Sequence, residues 1–546
     1  MKGTCMDRRD FIALGVGAAV GFGCGPVFAG TTEGDELLKF PRGGGLSPDY
    51  WCTWGIQNSI VAQDKKKKLS DLAGDQGAYA ARNNINEEFL FGKDGWARTM
   101  CPGVRDRLFL VLDDGWDVEY DSHPAESRER FGFMEPWPER FPSCGKTSLE
   151  RLTTINRRIR EQGWQGAGIW IAAQLRGDKP PRGDWKAYCA LRDTSTSPEV
   201  ADYLKRKLEL SAEAGVRYWK VDWGSRAGFT PFRRLMSEVK NRVCPEIMVE
   251  HIPLSGWPFN GQKLDKKTGE LVGDGRLDGF DNPDFADRLK FSDVLRVYDV
   301  MGAVQLATTI ERAWGYAHYV DQCGSKTIVN VEDAPPLAAA LGHAMQLLSS
   351  SVGRERAVNW HRFAPPFGGR KGYETVASEE LFTERHVFRK GEGWREDIWG
   401  KEVKQVAPAV LARGLKLPTV KPLDGDKPFV AAGRNPNGAT CVATLPRIRP
   451  NGDFYTPAAE VVLNDAVAFD RPFAVFGRPA RVVLPLDRRP KRVYARDLAG
   501  GPVCELKGVA HAGGRLTLDG DELARVGSAC SSGNNRHEPG TLIRFV

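Results

Sequence analysis

The chain has no C-x-x-C pair and no H-E-x-x-H, so the ligand spacings of zinc ribbons, thioredoxin-like sites and zincins are missing. Gly145-Lys146-Thr147 lacks the first P-loop glycine, since Arg140 holds that position. Gly15-Val16-Gly17 with Gly21 has the wrong spacing for a dinucleotide fingerprint. Histidine is scarce, with eight in all, and His251 reads as a loop or core residue rather than a metal ligand. No segment approaches about 18 uninterrupted apolar residues, so no membrane span is expected. Excess charge is also missing: 77 basic side chains face 70 acidic ones, and no basic stripe interleaves with aromatics as nucleic-acid binding requires. The densest basic cluster, Lys65 to Lys68, reads as a solvated face.

What is present suits a large soluble protein. A length of 546 residues exceeds one ordinary domain, and a hydrophobic fraction of 41% supplies a sizeable core. The 15 tryptophans are flat apolar faces suited to core packing and to stacking on sugar rings. At the N-terminus, Arg8-Arg9-Asp10-Phe11-Ile12 precedes a short apolar stretch, and Val27-Phe28-Ala29 offers a small-x-small cleavage site. Residues 1–29 therefore read as a twin-arginine-like export signal, with a periplasmic or extracellular destination; Cys24 is a candidate lipid anchor in a poor lipobox context. Of the 11 cysteines, Cys5 and Cys24 lie in this leader, so an odd number is left and at least one thiol stays free if none pairs between chains.

From about residue 50 to 355, short β-rich runs alternate with amphipathic helical patterns, the signature of βα units. Strands are expected at 108–112, 166–171, 216–221, 247–249, 294–298 and 327–331, with weaker runs at 50–56 and 344–349. Thr147 and Glu150 form a capping-box pair opening a helix that Gly163 stops, and Ser197-Pro198 opens another that Gly215 closes. Eight strands with intervening helices predict a (β/α)8 TIM barrel over residues 30–375. A connecting segment at 376–415 follows, with a helix expected near 402–413. Residues 416–546 read as a C-terminal antiparallel β-sandwich, with strands at 429–432, 440–445, 481–486 and 491–495.

In such a barrel, chemistry collects at the C-terminal ends of the strands. Three of the runs end in aspartate: 108–112 leads into Asp113-Asp114-Gly115-Trp116, 218–221 into Asp222, and 295–298 into Asp299. One such residue is often a helix cap; three at one face supply candidates for the pair of carboxyl groups that a retaining glycosidase holds about 5 to 5.5 Å apart. Lys220 lies two residues before Asp222 and so points to the same side of its strand, where its charge favours an ionised carboxylate.

Asp113-Asp114-Gly115-Trp116 and Lys220-Val221-Asp222 resemble the α-galactosidase clan, glycoside hydrolase families 27 and 36. The resemblance implies a retaining hydrolase of terminal α-linked galactose-type sugars that needs no cofactor and no metal and whose partner is a carbohydrate. It assigns Asp222 as nucleophile, and Asp113, Asp114 and Lys220 as sugar binders. Arg296-Val297-Tyr298-Asp299 is similar to the clan's general-acid segment, with the arginine one residue closer; Asp299 is favoured over Asp293 because the apolar run ends there. Glu250, opening Glu250-His251-Ile252-Pro253-Leu254-Ser255-Gly256-Trp257-Pro258-Phe259, is similar to the recognition-loop glutamate that accompanies galactose, and Trp54 to the clan's wall tryptophan, or else a buried core aromatic. Trp223-Gly224 departs from the asparagine-containing sequence that usually follows the nucleophile. Within the same chemistry an α-N-acetylgalactosaminidase or a β-L-arabinopyranosidase stands as the alternative; a non-catalytic glycan-binding protein on a barrel scaffold is the alternative of another class.

Overall fold

The computed structural model describes residues 33–41, 45–63, 80–121, 129–179, 184–252, 263–264, 271–272, 283–297, 306–386, 403–449, 454–531 and 538–546. The expected export signal at residues 1–29, the Lys65 to Lys68 run, residues Pro253 to Phe259 and Asp299 lie outside these residues.

Eight parallel strands close into a barrel: β1 (Tyr50–Cys52), β2 (Phe109–Leu112), β3 (Gly166–Ile171), β4 (Tyr218–Val221), β5 (Met248–His251), β6 (Val294–Arg296), β7 (Ile328–Glu332) and β8 (Ala344–Leu347). Each pairs with its sequence neighbours and β1 closes on β8. Helices fill most of the connections, and their sequence signals are visible in place. Thr147 accepts the Glu150 N–H while the Glu150 carboxylate accepts the Thr147 N–H, capping helix Ser148–Glu161. Pro198 occupies the first turn of helix Pro198–Glu213, and Thr230–Val243 follows β4 with Pro231 in its first turn.

Strand parity sorts the side chains. In β2, Leu110 and Leu112 join the large core between strands and helices, whereas Phe109 and Val111 pack inside the barrel with Tyr50, Cys52 and Tyr218. Gly168 of β3 belongs to the inner set, because a Cβ there would meet Val111 Cγ2 at 2.7 Å and Tyr218 Cβ at 3.2 Å. The same alternation turns Trp219 and Val221 outward into the core and leaves Tyr218, Lys220 and Asp222 facing in.

The region expected to connect the domains differs in one element. In place of a helix at 402–413 are strands Val403–Pro408 and Val410–Arg413. Pro408 lacks an amide proton and would break a helix interior, while the flanking valines suit extended backbone. Val410–Arg413 belongs to an eight-stranded sheet that includes Thr375–Ala377, Phe429–Arg434, Thr440–Leu445, Phe473–Phe476, Gly540–Phe545, Val493–Asp497 and Gly500–Glu505. A five-stranded sheet contains Thr419–Pro422, Ala459–Val462 and Arg481–Pro485. The sheets are mainly antiparallel, with parallel neighbours where Val410–Arg413 meets Phe429–Arg434, Thr440–Leu445 meets Phe473–Phe476 and Ala459–Val462 meets Arg481–Pro485. Val461, Val482, Leu516 and Leu518 from one sheet and Val442, Val475, Leu542 and Ile543 from the other share one core, giving a β-sandwich-like C-terminal region.

Two buried bidentate ion pairs fasten this region to the barrel helices. Arg413 donates to both oxygens of Asp321, at 2.8 and 2.9 Å, and Arg356 to both oxygens of Asp497, at 2.8 Å each. The nine cysteines among the described residues, Cys52 to Cys530, all carry free thiols. Among the described residues, no helix is long and apolar enough to cross a membrane.

Candidate active site

The inward parity of the strands delivers a layer of polar side chains to the C-terminal mouth of the barrel. Asp222, immediately after β4, is 8% exposed. Its Oδ2 receives the Trp170 indole N–H at 3.1 Å and lies 3.2 Å from Arg296 Nη2, and Arg233 fixes its carbonyl at 2.7 Å. Its Oδ1 is buried and has no hydrogen-bond partner among the described residues. Burial alone would raise this carboxyl, but Arg296, Lys220 and the Trp170 hydrogen bond outweigh it and hold the group below the usual carboxylate range. A buried aspartate kept ionised with one oxygen unpartnered is poised as a nucleophile.

Lys220, one layer deeper on the same strand, donates to Asp113 Oδ2 at 2.6 Å, and Cys52 from β1 donates to that oxygen at 2.8 Å. Thr53 accepts the Asp113 N–H at 2.9 Å and fixes the backbone at the end of β2. Burial pushes the ammonium of Lys220 down, and Asp113 with the surrounding acids more than reverses this, so the lysine stays charged. Asp114 binds Arg82 Nε through Oδ2 at 2.8 Å and takes its own N–H bond to Asp113 Oδ1 at 2.8 Å. Its Oδ1 also lacks a partner among the described residues. Desolvation, opposed by Arg82 and reinforced by Asp113 and Asp222, pushes Asp114 up to about 6. Arg82 lies over the rings of Phe131 and Trp223, at 4.8 and 5.6 Å, and these rings contact Trp170. The result is an aromatic wall beside Asp114 and Asp222, each with one carboxylate oxygen unpartnered among the described residues.

Trp223-Gly224 has a local reason. Gly224 has a φ of 151°, and any Cβ there would meet the Ala173 backbone at 2.7 Å. The Trp223 carbonyl accepts the Ala173 N–H at 2.8 Å, so the glycine lets the loop after β4 lie against the loop after β3 and hold Trp223 in the wall.

Arg296, inward on β6, faces three carboxylates: Asp222, Glu250 at 3.4 Å from Nε, and Glu332 at 3.7 Å from Nη1. Burial works against its charge, and Asp222, Glu332, Tyr50 and Glu250 together more than restore it. Asp113, Asp114, Lys220, Asp222 and Arg296 are therefore brought together as the sequence expects.

Glu250 is placed differently from the expectation. It is fully buried within the barrel, where it accepts bonds from Tyr50 at 2.9 Å, Tyr218 at 2.8 Å and Asn330 at 2.7 Å. Its position on β5, one residue before the strand ends, sets it below the mouth, so it supports Arg296 and is not presented to a ligand. Asp293 precedes β6 at the opposite end of the barrel, 2.7 Å from Lys240 Nζ and accepting the Val249 N–H at 2.9 Å, remote from Asp222. His251 turns outward and is buried against Ser237 and Arg233, as a core histidine. Trp54 opens helix Trp54–Gln63, half-buried against Val61, Ala80 and Ala81. Arg82, Trp170 and Glu332 are site residues absent from the sequence expectations. Glu332 ends an apolar run as Asp222 does, so the same rule finds it; an indole within a strand and an arginine in helical backbone away from the strand ends carry no comparable signal.

Among the described residues, no group of His, Cys, Asp and Glu side chains is arranged to hold a metal ion. No family model matches the chain, and no curated protein matches it. Solved structures that match include a glycoside hydrolase family 27 β-L-arabinopyranosidase from Geobacillus stearothermophilus bound to arabinose, at 10% identity over 95% of this chain and 100% of that one, with a TM-score of 0.36. A putative α-N-acetylgalactosaminidase from Bacillus halodurans matches at 13% identity over 88% and 99%, with a TM-score of 0.38. An α-amylase from Geobacillus thermoleovorans in complex with acarbose matches at 10% identity over 91% and 98%, also with a TM-score of 0.38. Likenesses this distant carry no argument; the barrel rests on its strand pairing and the site on its own geometry.

Proposed function

We propose that this protein is a retaining glycoside hydrolase in which Asp222 is the nucleophile. The observation that carries the reading is Asp222 itself: buried at the end of a barrel strand, ionised by two neighbouring cations and open at one oxygen. In the first half-reaction, Oδ1 attacks the anomeric carbon as the bond to the leaving oxygen breaks, and Asp299 gives that oxygen a proton. In the second, water donates a proton to Asp299 and attacks the same carbon, freeing Asp222 and releasing the sugar. Asp113 and Asp114 accept hydroxyl hydrogens from the ring, and the aromatic wall packs against its apolar face.

The substrate class, terminal α-linked galactose-type sugars, rests on the resemblance of Asp113-Asp114-Gly115-Trp116 and Lys220-Val221-Asp222 to the α-galactosidase clan. Residues 1–29 support export as the place of action. The buried position of Glu250 removes it as a guide to the substituent at C2, so a panel of nitrophenyl α-galactoside, α-N-acetylgalactosaminide and β-L-arabinopyranoside decides among the three. The central test is labelling with a mechanism-based galactosyl inhibitor and peptide mapping, with Asp222→Asn alongside. The label is expected on Asp222, and the variant is expected to lose at least about a thousandfold in kcat with an unchanged melting temperature. A label elsewhere, or near-normal turnover by the variant, rejects the assignment. Tight galactose binding by the wild-type protein without hydrolysis selects the glycan-binding alternative.

A further inference from the structure

We propose that Glu332 is a positioning residue for the nucleophile: by holding one edge of Arg296, it keeps the guanidinium on a single oxygen of Asp222 and leaves the other free to attack. The inference deepens the reading above and rests on it. Glu332 is the last residue of β7, so strand parity points it inward on the same side as Asn330, which lies in register with Arg296, and Glu332 itself pairs with Gln346.

The geometry around the guanidinium divides its donors among three directions. Nη2 faces Asp222 Oδ2 at 3.2 Å, Nε faces Glu250 Oε1 at 3.4 Å, and Nη1 faces Glu332 Oε2 at 3.7 Å and Gln346 Oε1 at 3.5 Å. Gln346 in turn donates to Glu332 Oε1 at 3.3 Å and accepts from Tyr50 at 2.5 Å, which fixes that edge. An arginine next to a carboxylate favours the two-pronged arrangement in which parallel N–H groups cover both oxygens. That arrangement is already realised twice in this molecule, at Arg356 with Asp497 and Arg413 with Asp321. At Asp222 it is not, and Oδ1 has no hydrogen-bond partner among the described residues. Those two arginines grip their carboxylates with Nε and Nη2; on Arg296 the Nε edge faces Glu250, so the remaining two-pronged arrangement is through Nη1 and Nη2, and there Glu332 is the competing carboxylate. Without Glu332, the Nη1–Nη2 edge loses its competing carboxylate and is drawn toward both oxygens of Asp222, stabilising the ground-state carboxylate at the expense of the transition state.

The charged and titratable groups acting on Asp222 are Lys220 on its own strand, Arg296 on β6 and Asp114 after β2; behind them, Asp113 and Arg82 act on Asp114, and Glu250 on β5 and Glu332 on β7 act on Arg296. Removing the charge of Glu332 takes away one negative group and tightens one positive group on Asp222, and both changes favour its ionised form. The acid limb of kcat/KM, set by Asp222, therefore moves to lower pH.

The test uses the full-length protein and nitrophenyl α-galactoside, comparing wild type, Glu332→Gln and Glu332→Asp across pH. Expected for Glu332→Gln are a fall in kcat of roughly ten- to a hundredfold with KM little changed, and an acid limb shifted down. Glu332→Asp, which keeps the charge, is expected to recover part of the rate and place the limb near its wild-type position. An unchanged kcat and limb, or a lost kcat with an unmoved limb, overturns the proposal, because a merely structural role does not move the limb. Carbodiimide modification of Asp222, mapped by peptide mass at a series of pH values, is measured in parallel. Its midpoint falls in Glu332→Gln if the coupling exists and stays put if it does not. If wild type cleaves none of the three glycosides, the hydrolase reading fails while this second measurement still judges the coupling.

Discussion

At Asp222 two opposing effects meet. Burial favours the neutral acid, and the cations of Arg296 and Lys220 favour the anion; the cations prevail. The balance makes Lys220 a tuning residue as well as a partner of Asp113. Replacing Lys220 by Met removes a positive charge, so the pKa of Asp222 rises and the protonated, inactive form persists to higher pH. The acid limb of kcat/KM is expected to move up by about a pH unit, the reverse of the shift expected for Glu332→Gln, and a pH series on nitrophenyl α-galactoside measures it. A limb that stays fixed, or moves down, contradicts the balance. Two substitutions of opposite charge giving opposite shifts would identify Asp222 as the group titrating in that limb.

At the scale of elements, the site is a consequence of strand parity. Phe109, Val111 and Asp113 point inward along β2, and Tyr218, Lys220 and Asp222 along β4, so apolar residues fill the barrel floor and acids reach its mouth. Gly168 on β3 leaves room for this inner layer. Gly168→Ala places a methyl 2.7 Å from Val111 Cγ2 and is expected to lower stability by about 1 to 3 kcal/mol, read in urea unfolding. The double variant Gly168→Ala with Val111→Ala is expected to cost less than the sum of its parts, because the second change relieves the first clash. Additive costs would mean that the two side chains do not compete for the same space.

At the scale of the whole molecule, the barrel and the C-terminal sheets are joined through buried charge as well as apolar packing. Asp321, on helix Leu306–Cys323, accepts both donors of Arg413, the Thr375 hydroxyl at 2.6 Å and the Arg370 N–H at 2.9 Å. Asp321→Asn leaves the guanidinium buried without its counter-charge, for which about 3 to 5 kcal/mol of destabilisation is expected. Chemical denaturation measures this loss, while kcat per folded molecule is expected to stay at the wild-type value, since Asp321 lies near the end of the helix that leads into β7, where the strands begin, and Asp222 lies where they end. A drop in kcat at full folding would instead tie the interface to the site.

The amino-acid sequence by itself determined the alternation that builds the barrel, the helix start signals at Thr147 and Pro198, and the acids that end the strands at Asp113 and Asp222. These are local patterns, set by side-chain spacing along one element. Only the tertiary structure decided which polar residues meet. Glu250 carries the same charge as Asp222 and also lies near a strand end, yet one layer of depth encloses it among Tyr50, Tyr218 and Asn330. Arg82, Trp170 and Glu332 reach the nucleophile's neighbourhood from three other segments, and closure of the barrel alone brings them there. The helix expected at 402–413 fails for a related reason: sheet pairing with Phe429–Arg434 and Leu381–His386 supplies its backbone hydrogen bonds from distant residues. Periodicity along the chain specifies which way a side chain points; depth in the barrel and the company it finds there are properties of the closed fold.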